Sequence, residues 1–311
     1  MSMSIDQPHT SSRDQLVELF RVAQAVSRDE EMPPAEVTAA ALLLAPQTKT
    51  LPGVVVQKEL EAMLVHRGVH VALQWLHDSG LLAVWLPELE ATVDFSQEAG
   101  RRHKDVWEHT KQVVRQSVPR PEVRWAALLH DIGKVPTRTF TPDGGVHFHR
   151  HSEVGARMFE DVSRRFGFER PLKQKIKFLI LHHLRPNQYE PSWTDGAVRR
   201  FDRELQEHLT DLLDLSRADI TSARPGKRQA ALRGISDLAQ RIAKLREEDA
   251  IVPPLPTGIG NVIMEHFQLP PSRQIGDLKR ALEESVDKGE LEPRREAAYY
   301  LAHVAKLLNR D

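Results

Sequence analysis

Apolar residues recur at helical spacing along almost the whole chain. Leu16, Leu19, Phe20 and Ala23 form the first stripe, and the Pro33-Pro34 pair then opens a second helix at its first turn, where a missing N–H costs nothing. Val69, Leu73, Leu76 and Leu81 to Val84 continue the pattern up to Pro87. Asp105 to Val118 is amphipathic and stops before Pro119. Trp125 to Leu129 carries apolar residues into His130-Asp131, and Gly133 predicts a left-handed stop just beyond. Ser152 to Phe166, Leu172 to His183 and Asp202 to Thr221 read as further helices. Only Thr139 to Phe148, centred on Pro142-Asp143-Gly144-Gly145, reads as a turn or short hairpin. Ala250 to Gly260, with three prolines and two glycines, predicts a linker before amphipathic segments over Asn261 to His266 and Ile275 to Leu308. The pattern predicts an all-α protein without internal repeats.

Composition narrows the function classes. Lys and Arg together number 43 against 44 Asp and Glu, so bulk electrostatics do not favour a nucleic-acid grip, although a local basic face stays open. The absence of cysteine excludes disulfides, thiolate zinc sites and cysteine nucleophiles. The first residues lack both the basic start and the apolar core of a signal peptide. The longest apolar run, Ala39 to Ala45, falls far short of the ~20 residues of a membrane helix. A cytoplasmic protein without a membrane partner is expected.

The candidate chemistry lies in the histidines. Eight of the fifteen (103, 109, 130, 147, 149, 151, 182 and 183) fall between residues 101 and 183, and Asp219 closes a later apolar helix. Imidazoles and carboxylates gathered by a fold make a divalent-metal site. The candidate ligands are His109, His130, Asp131, His151, His182, His183 and Asp219. A helix directs its successive side chains about 100° apart, so only one of His182 and His183 need face the site. Asp131 has two oxygens and can bridge two ions, so one or two are expected. Nitrogen and oxygen donors without thiolate suit manganese, iron, cobalt, nickel, zinc or magnesium. His103, His147 and His149 read as neighbours of the ligands, substrate contacts or solvated groups. Asp131 and Lys134 are the candidate catalytic residues. Lys134, Arg150 and Arg185 are the candidate contacts to a substrate phosphate, which a guanidinium can grip with two parallel hydrogen bonds.

Three further signals are weaker. Gly258-Ile-Gly260 follows no strand and reads as a helix-initiating turn. Arg224 to Arg233 reads as a solvated helix end or a phosphate-backbone contact. Trp107 and Trp125 read as core.

Asp105-Val-Trp-Glu-His109-Thr, Ala-Leu-Leu-His130-Asp131-Ile-Gly-Lys134, His147-Phe-His-Arg-His151-Ser-Glu-Val-Gly-Ala, Leu-His182-His183 and Arg217-Ala-Asp219 resemble the successive motifs of the HD-domain superfamily of metal-dependent phosphohydrolases. The resemblance is to the branch fused to bacterial CCA-adding tRNA nucleotidyltransferases and poly(A) polymerase-like proteins. Gln57 to Leu89 is similar to the segment ahead of that domain, and Ile275 to Arg295 to the C-terminal tail. It implies a helical bundle flanked by helical segments. The expected organisation is a disordered 1–12, a neck-like 13–100, an HD domain over 101–223 and a helical body and tail over 224–311. It also implies hydrolysis of phosphate mono- or diesters of nucleotides or RNA ends, including 2′,3′-cyclic phosphates and 2′-nucleotides. The chain departs from those enzymes in lacking any Asp-x-Asp, and its Gly144-Gly145 has no arginine three residues on. Nucleotide addition is therefore not expected. The alternative is a non-catalytic RNA-binding relic that still docks tRNA.

Overall fold

The computed structural model describes residues 12–95, 105–142, 145–251 and 253–308, so His103 and the expected disordered N-terminus lie outside the described residues. Among the described residues every regular element is helical apart from one antiparallel hairpin, Arg138–Phe140 with Val146–Phe148. No helix among the described residues is long and apolar enough to cross a membrane.

The described residues form two compact units. The first runs to Asn187 and takes in Thr210–Ala231; the second joins Gln188–Leu209 to the residues from Leu232 onward. The segments expected as 13–100 and 101–223 thus largely share one unit, while 188–209 goes with the C-terminal helices.

In the first unit the helix Arg13–Asp29 starts at Ser12, whose hydroxyl accepts from the backbone N–H of Gln15. Its apolar stripe packs on Gly53–Leu64 and Val69–Asp78. Trp85, Trp125, Phe166 and Phe168 form one aromatic cluster, with Trp125 centred 5.6 Å from Phe166 and 5.1 Å from Phe168. Trp125 and Trp107 are both core residues. Their burial anchors Pro121–Leu129 and Val106–Gln116, the two helices that lead to the histidines.

Three expected elements differ. Gly133 is right-handed at φ −69°, and its missing side chain serves close approach instead: a Cβ there would lie 2.0 Å from the His151 carbonyl oxygen. Asp202 to Thr221 is broken, because Gln206 takes φ 43° and separates Asp195–Leu205 from Leu209–Asp219. Ile275 to Leu308 is likewise two helices, Arg273–Asp287 and Ala297–Leu308, interrupted where Gly289 turns left-handed at φ 75° and Pro293 removes a donor.

The second unit has its own core of Ile259, Ile263, Leu278, Leu282 and Tyr300. The Tyr300 hydroxyl donates to the carbonyl of Glu292 at 2.8 Å, tying the last helix to the turn before it. Paired guanidinium–carboxylate contacts, Arg199 with Asp249 and Arg246 with Asp202, hold its polar side.

Candidate metal centre

The donors of this site stand at helix ends, where the backbone leaves groups unsatisfied. His109 comes from the first turns of Val106–Gln116, whose start is fixed by Asp105 accepting from the N–H groups of Trp107 and Glu108. His130 caps Pro121–Leu129 and is followed by Asp131. His151 opens His151–Phe166, His183 caps Arg170–His182, and Asp219 ends Leu209–Asp219. All belong to the first unit.

The outer nitrogen of each imidazole is already used. His130 Nδ1 bonds to the Ala127 carbonyl at 2.8 Å, His151 Nδ1 to Phe148 at 2.9 Å and His183 Nδ1 to Ile180 at 2.7 Å. His109 Nδ1 instead meets the Thr221 hydroxyl at 2.9 Å. Every Nε2 is thereby turned inward; at His130, His151 and His183 the carbonyl only accepts, so it keeps a proton on Nδ1.

Inside, Asp131 divides its oxygens. Oδ2 lies 3.2 Å from His130 Nε2 and 3.5 Å from His109 Nε2, whereas Oδ1 lies 3.5 Å from His151 Nε2. Asp219 Oδ1 closes the first side at 3.0 Å from His109 Nε2 and 3.4 Å from His130 Nε2. Two donor groups result, His109–His130–Asp131 and Asp131–His151–His183, with the ligand atoms of each within 4.8 Å of one another. Inward nitrogens approach each other at 3.2 Å (His109 to His130) and 3.4 Å (His151 to His183). Two imidazole lone pairs that close repel unless a cation or a proton stands between them. Imidazole nitrogens and carboxylate oxygens converging in this way fit a divalent ion.

The electrostatics agree. Burial alone would strip a proton from His130, yet Asp131 and Asp219 overcome it and raise its pKa to about 10. A pocket that negative attracts cations. Burial works against ionised Asp131 and Asp219, but the surrounding imidazoles, and Lys134 in the case of Asp131, hold both well below the ordinary carboxylate range. His183 is pushed down to about 4 by burial and then by the charge on His130; His151 is also lowered, by burial first.

Of the adjacent pair, the structure turns His183 into the cluster, 1% exposed, while the half-buried His182 ring packs on Phe178 with centroids 4.3 Å apart. Lys134 Nζ sits 2.6 Å from Asp131 Oδ2 and lies over the Phe148 ring. Arg150 is exposed at the left-handed residue before His151, with Glu153 as its neighbour, and Arg185 follows the helix end after His183. His147 and His149 stack on each other on the exposed face of the hairpin.

A cleft of about 1200 Å³ opens onto the centre, with His109, Lys134 and Asp219 among its lining residues. Its walls carry Lys111 and Arg115, and Arg224 and Lys227 from the basic tract. Arg150 and Arg185 are not part of its lining. Neither Lys111 and Arg115 nor Thr221 is singled out by sequence. Glu108, Lys111, Gln112 and Arg115 follow i, i+3, i+4, i+7 spacing on the helix of His109, but every amphipathic helix has such a polar stripe.

Residues 93–224 match the family described as HD domain. Over 81% of its length the chain is 32% identical to the A-adding tRNA nucleotidyltransferase of Deinococcus radiodurans, covering 58% of that protein. Over 80% it is 31% identical to the CC-adding tRNA nucleotidyltransferase of Thermus thermophilus, covering 56% of it. A shorter stretch, 47% of the chain, is 32% identical to the multifunctional CCA protein of Pseudomonas syringae pv. syringae and covers 36% of it. The chain thus spans a little over half the length of the first two relatives. Residues 93–224 thus carry the match to the HD domain family, on a chain that is similar over most of its length to part of two tRNA nucleotidyltransferases.

Proposed function

We propose that this chain is a metal-dependent phosphohydrolase acting on phosphate mono- or diesters of nucleotides or RNA ends. The observation that supports this most is the division of Asp131 between two groups of inward-facing nitrogens. His109, His130, Asp131 and Asp219 would hold one divalent ion, and Asp131, His151 and His183 a second. An ion there supplies Lewis-acid polarisation of a phosphoryl oxygen and lowers the pKa of water.

The remaining work belongs to the protein's own groups. The three backbone carbonyls hold protons on the Nδ1 atoms of their imidazoles and Thr221 orients the His109 ring, which limits reorganisation when substrate arrives. Lys134, in contact with Asp131 and lining the cleft, would take the negative charge of the phosphate undergoing attack. Because two of the relatives are named for tRNA, an RNA end is the substrate form we favour and tRNA a proposed partner.

The test is a metal-by-substrate screen. Protein stripped with a chelator and reloaded separately with manganese, nickel, cobalt, iron, magnesium or zinc is assayed on nucleoside 2′,3′-cyclic phosphates, 2′-nucleotides and simple phosphate esters. Activity should appear with metal and vanish in Asp131→Asn, with the circular dichroism spectrum kept. Full activity in Asp131→Asn would sink the assignment. Metal-loaded protein that binds tRNA yet hydrolyses none of these esters would favour the non-catalytic reading.

A further inference from the structure

The cleft carries more positive charge than one scissile phosphate calls for. Arg115 stands exposed on one wall, on the helix of His109, and Arg224 and Lys227 stand exposed at the start of Pro225–Ile251. Among the described residues no carboxylate pairs with any of the three. Elsewhere Arg120 meets Asp211 and Asp214, Arg165 meets Glu88 and Arg241 meets Asp195. The acids of the cleft are committed elsewhere. Glu108 pairs with Lys111 at 2.7 Å, Asp105 caps its helix, and Asp219 faces His109 and His130. The field is felt at His70 in the same cleft, whose pKa is lowered by burial and then by Arg115.

Lys134 already serves the phosphate at the centre, so these three cations are in surplus. We propose that Arg115, Arg224 and Lys227 form a second phosphate subsite, and that the substrate carries at least one phosphate besides the one hydrolysed. The inference rests on the hydrolase reading above and selects within it. A cleft of about 1200 Å³ exceeds the ~300–1,000 Å³ of pockets that enclose one small ligand. Two exposed guanidinium forks and an ammonium group match the oxygens of a phosphodiester or phosphate. The extra phosphate has two possible sources, the backbone of an RNA strand or a 5′-phosphate on the same nucleoside.

Three substrates separate them: a nucleoside 2′,3′-cyclic phosphate, its 5′-phosphorylated form, and a ribo-trinucleotide ending in the cyclic phosphate. With metal-loaded protein, the second phosphate should raise kcat/KM by about tenfold or more, the size of one or two charge-assisted hydrogen bonds. A rise confined to the trinucleotide identifies the strand; an equal rise with the 5′-phosphate identifies the nucleotide. The triple variant Arg115→Gln, Arg224→Gln, Lys227→Gln should erase the rise and leave the one-phosphate substrate unchanged. Arg115→Lys with Arg224→Lys should keep most of it. Engagement of all three cations by a strand predicts a log–log salt slope of roughly −2. Equal kcat/KM on all three substrates, or a triple variant that loses the same factor on each, overturns the proposal. Should no substrate be hydrolysed under any metal, the hydrolase reading fails, and binding of a 3′-phosphorylated ribo-trinucleotide decides the subsite. Fluorescence anisotropy that weakens about tenfold or more in the triple variant supports it, and equal binding overturns it.

Discussion

The sharpest prediction concerns two adjacent residues with opposite surroundings. His183→Ala removes one of the three donors in the group it shares with Asp131 and His151, whereas His182→Ala removes a ring resting on Phe178. Loss of a group that merely orients a ligand costs about 10–100-fold in metal affinity. Loss of a donor should cost at least the upper figure, about 2.7 kcal/mol. The folding cost is separable. Since the pKa of His183 lies at about 4, the imidazole is neutral near pH 7 and the substitution deletes no charge. What remains is a small cavity and the lost Nδ1 bond to Ile180, together about 2–4 kcal/mol. His182→Ala should cost under about 1 kcal/mol and leave metal affinity within about threefold. Isothermal titration of chelator-stripped protein with zinc or manganese, paired with denaturant unfolding, reads both quantities. Tight binding retained in His183→Ala, with loss in His182→Ala, would refute the assignment of the inward-facing histidine.

Thr221→Val should lower metal affinity about 10–100-fold while Thr221→Ser keeps it, because only the hydroxyl holds His109 Nδ1; the same titration checks this. Gly133→Ala has no backbone strain to relieve, but its Cβ would meet the His151 carbonyl and the Gly155 nitrogen, so denaturant unfolding should show a loss of about 3 kcal/mol or more. Lys175 lies 2.5 Å from Asp211 and 2.9 Å from Glu122. Burial raises the Glu122 pKa, but Lys175 outweighs it and brings the net value below the ordinary 4.5. The stabilisation is therefore complete above that value and lost as pH falls through the folded pKa, so Lys175→Met should show a smaller drop in stability between pH 7 and 4 than the parent chain.

The helices were legible because their apolar residues recur at one spacing over many turns. The breaks were not, since Gln206 adopts a positive φ that its residue type does not announce, and Gly289 sits in a stretch that still reads as amphipathic. At the site, the candidate donors stood out because imidazoles crowd about a quarter of the chain. Which of His182 and His183 turns inward depends on the rotation of Arg170–His182 against its neighbours, and adjacency in sequence carries no such phase. Gly133 was visible as a special position for the wrong reason: the chain needs it slim rather than left-handed. Arg115 gave no sign, because only the pairing of the acids around it makes its charge conspicuous.

Three of the four inner imidazoles take their orientation from a carbonyl three residues behind them. Each of these can acquire its tautomer as soon as a single turn of backbone forms, before distant helices have met. His109 alone waits for a hydroxyl 112 positions away. Its partner Thr221 arrives together with Asp219, so one docking event delivers both a donor and the lock on another. The centre is thus a clasp with one half moulded locally and the other supplied by the far end of the domain. An ion seated in it would fasten the early part of the domain to the late one, closing a loop whose entropy otherwise favours release. Chelation should accordingly loosen the Leu209–Thr221 segment before it disturbs the turns that carry His130, His151 and His183.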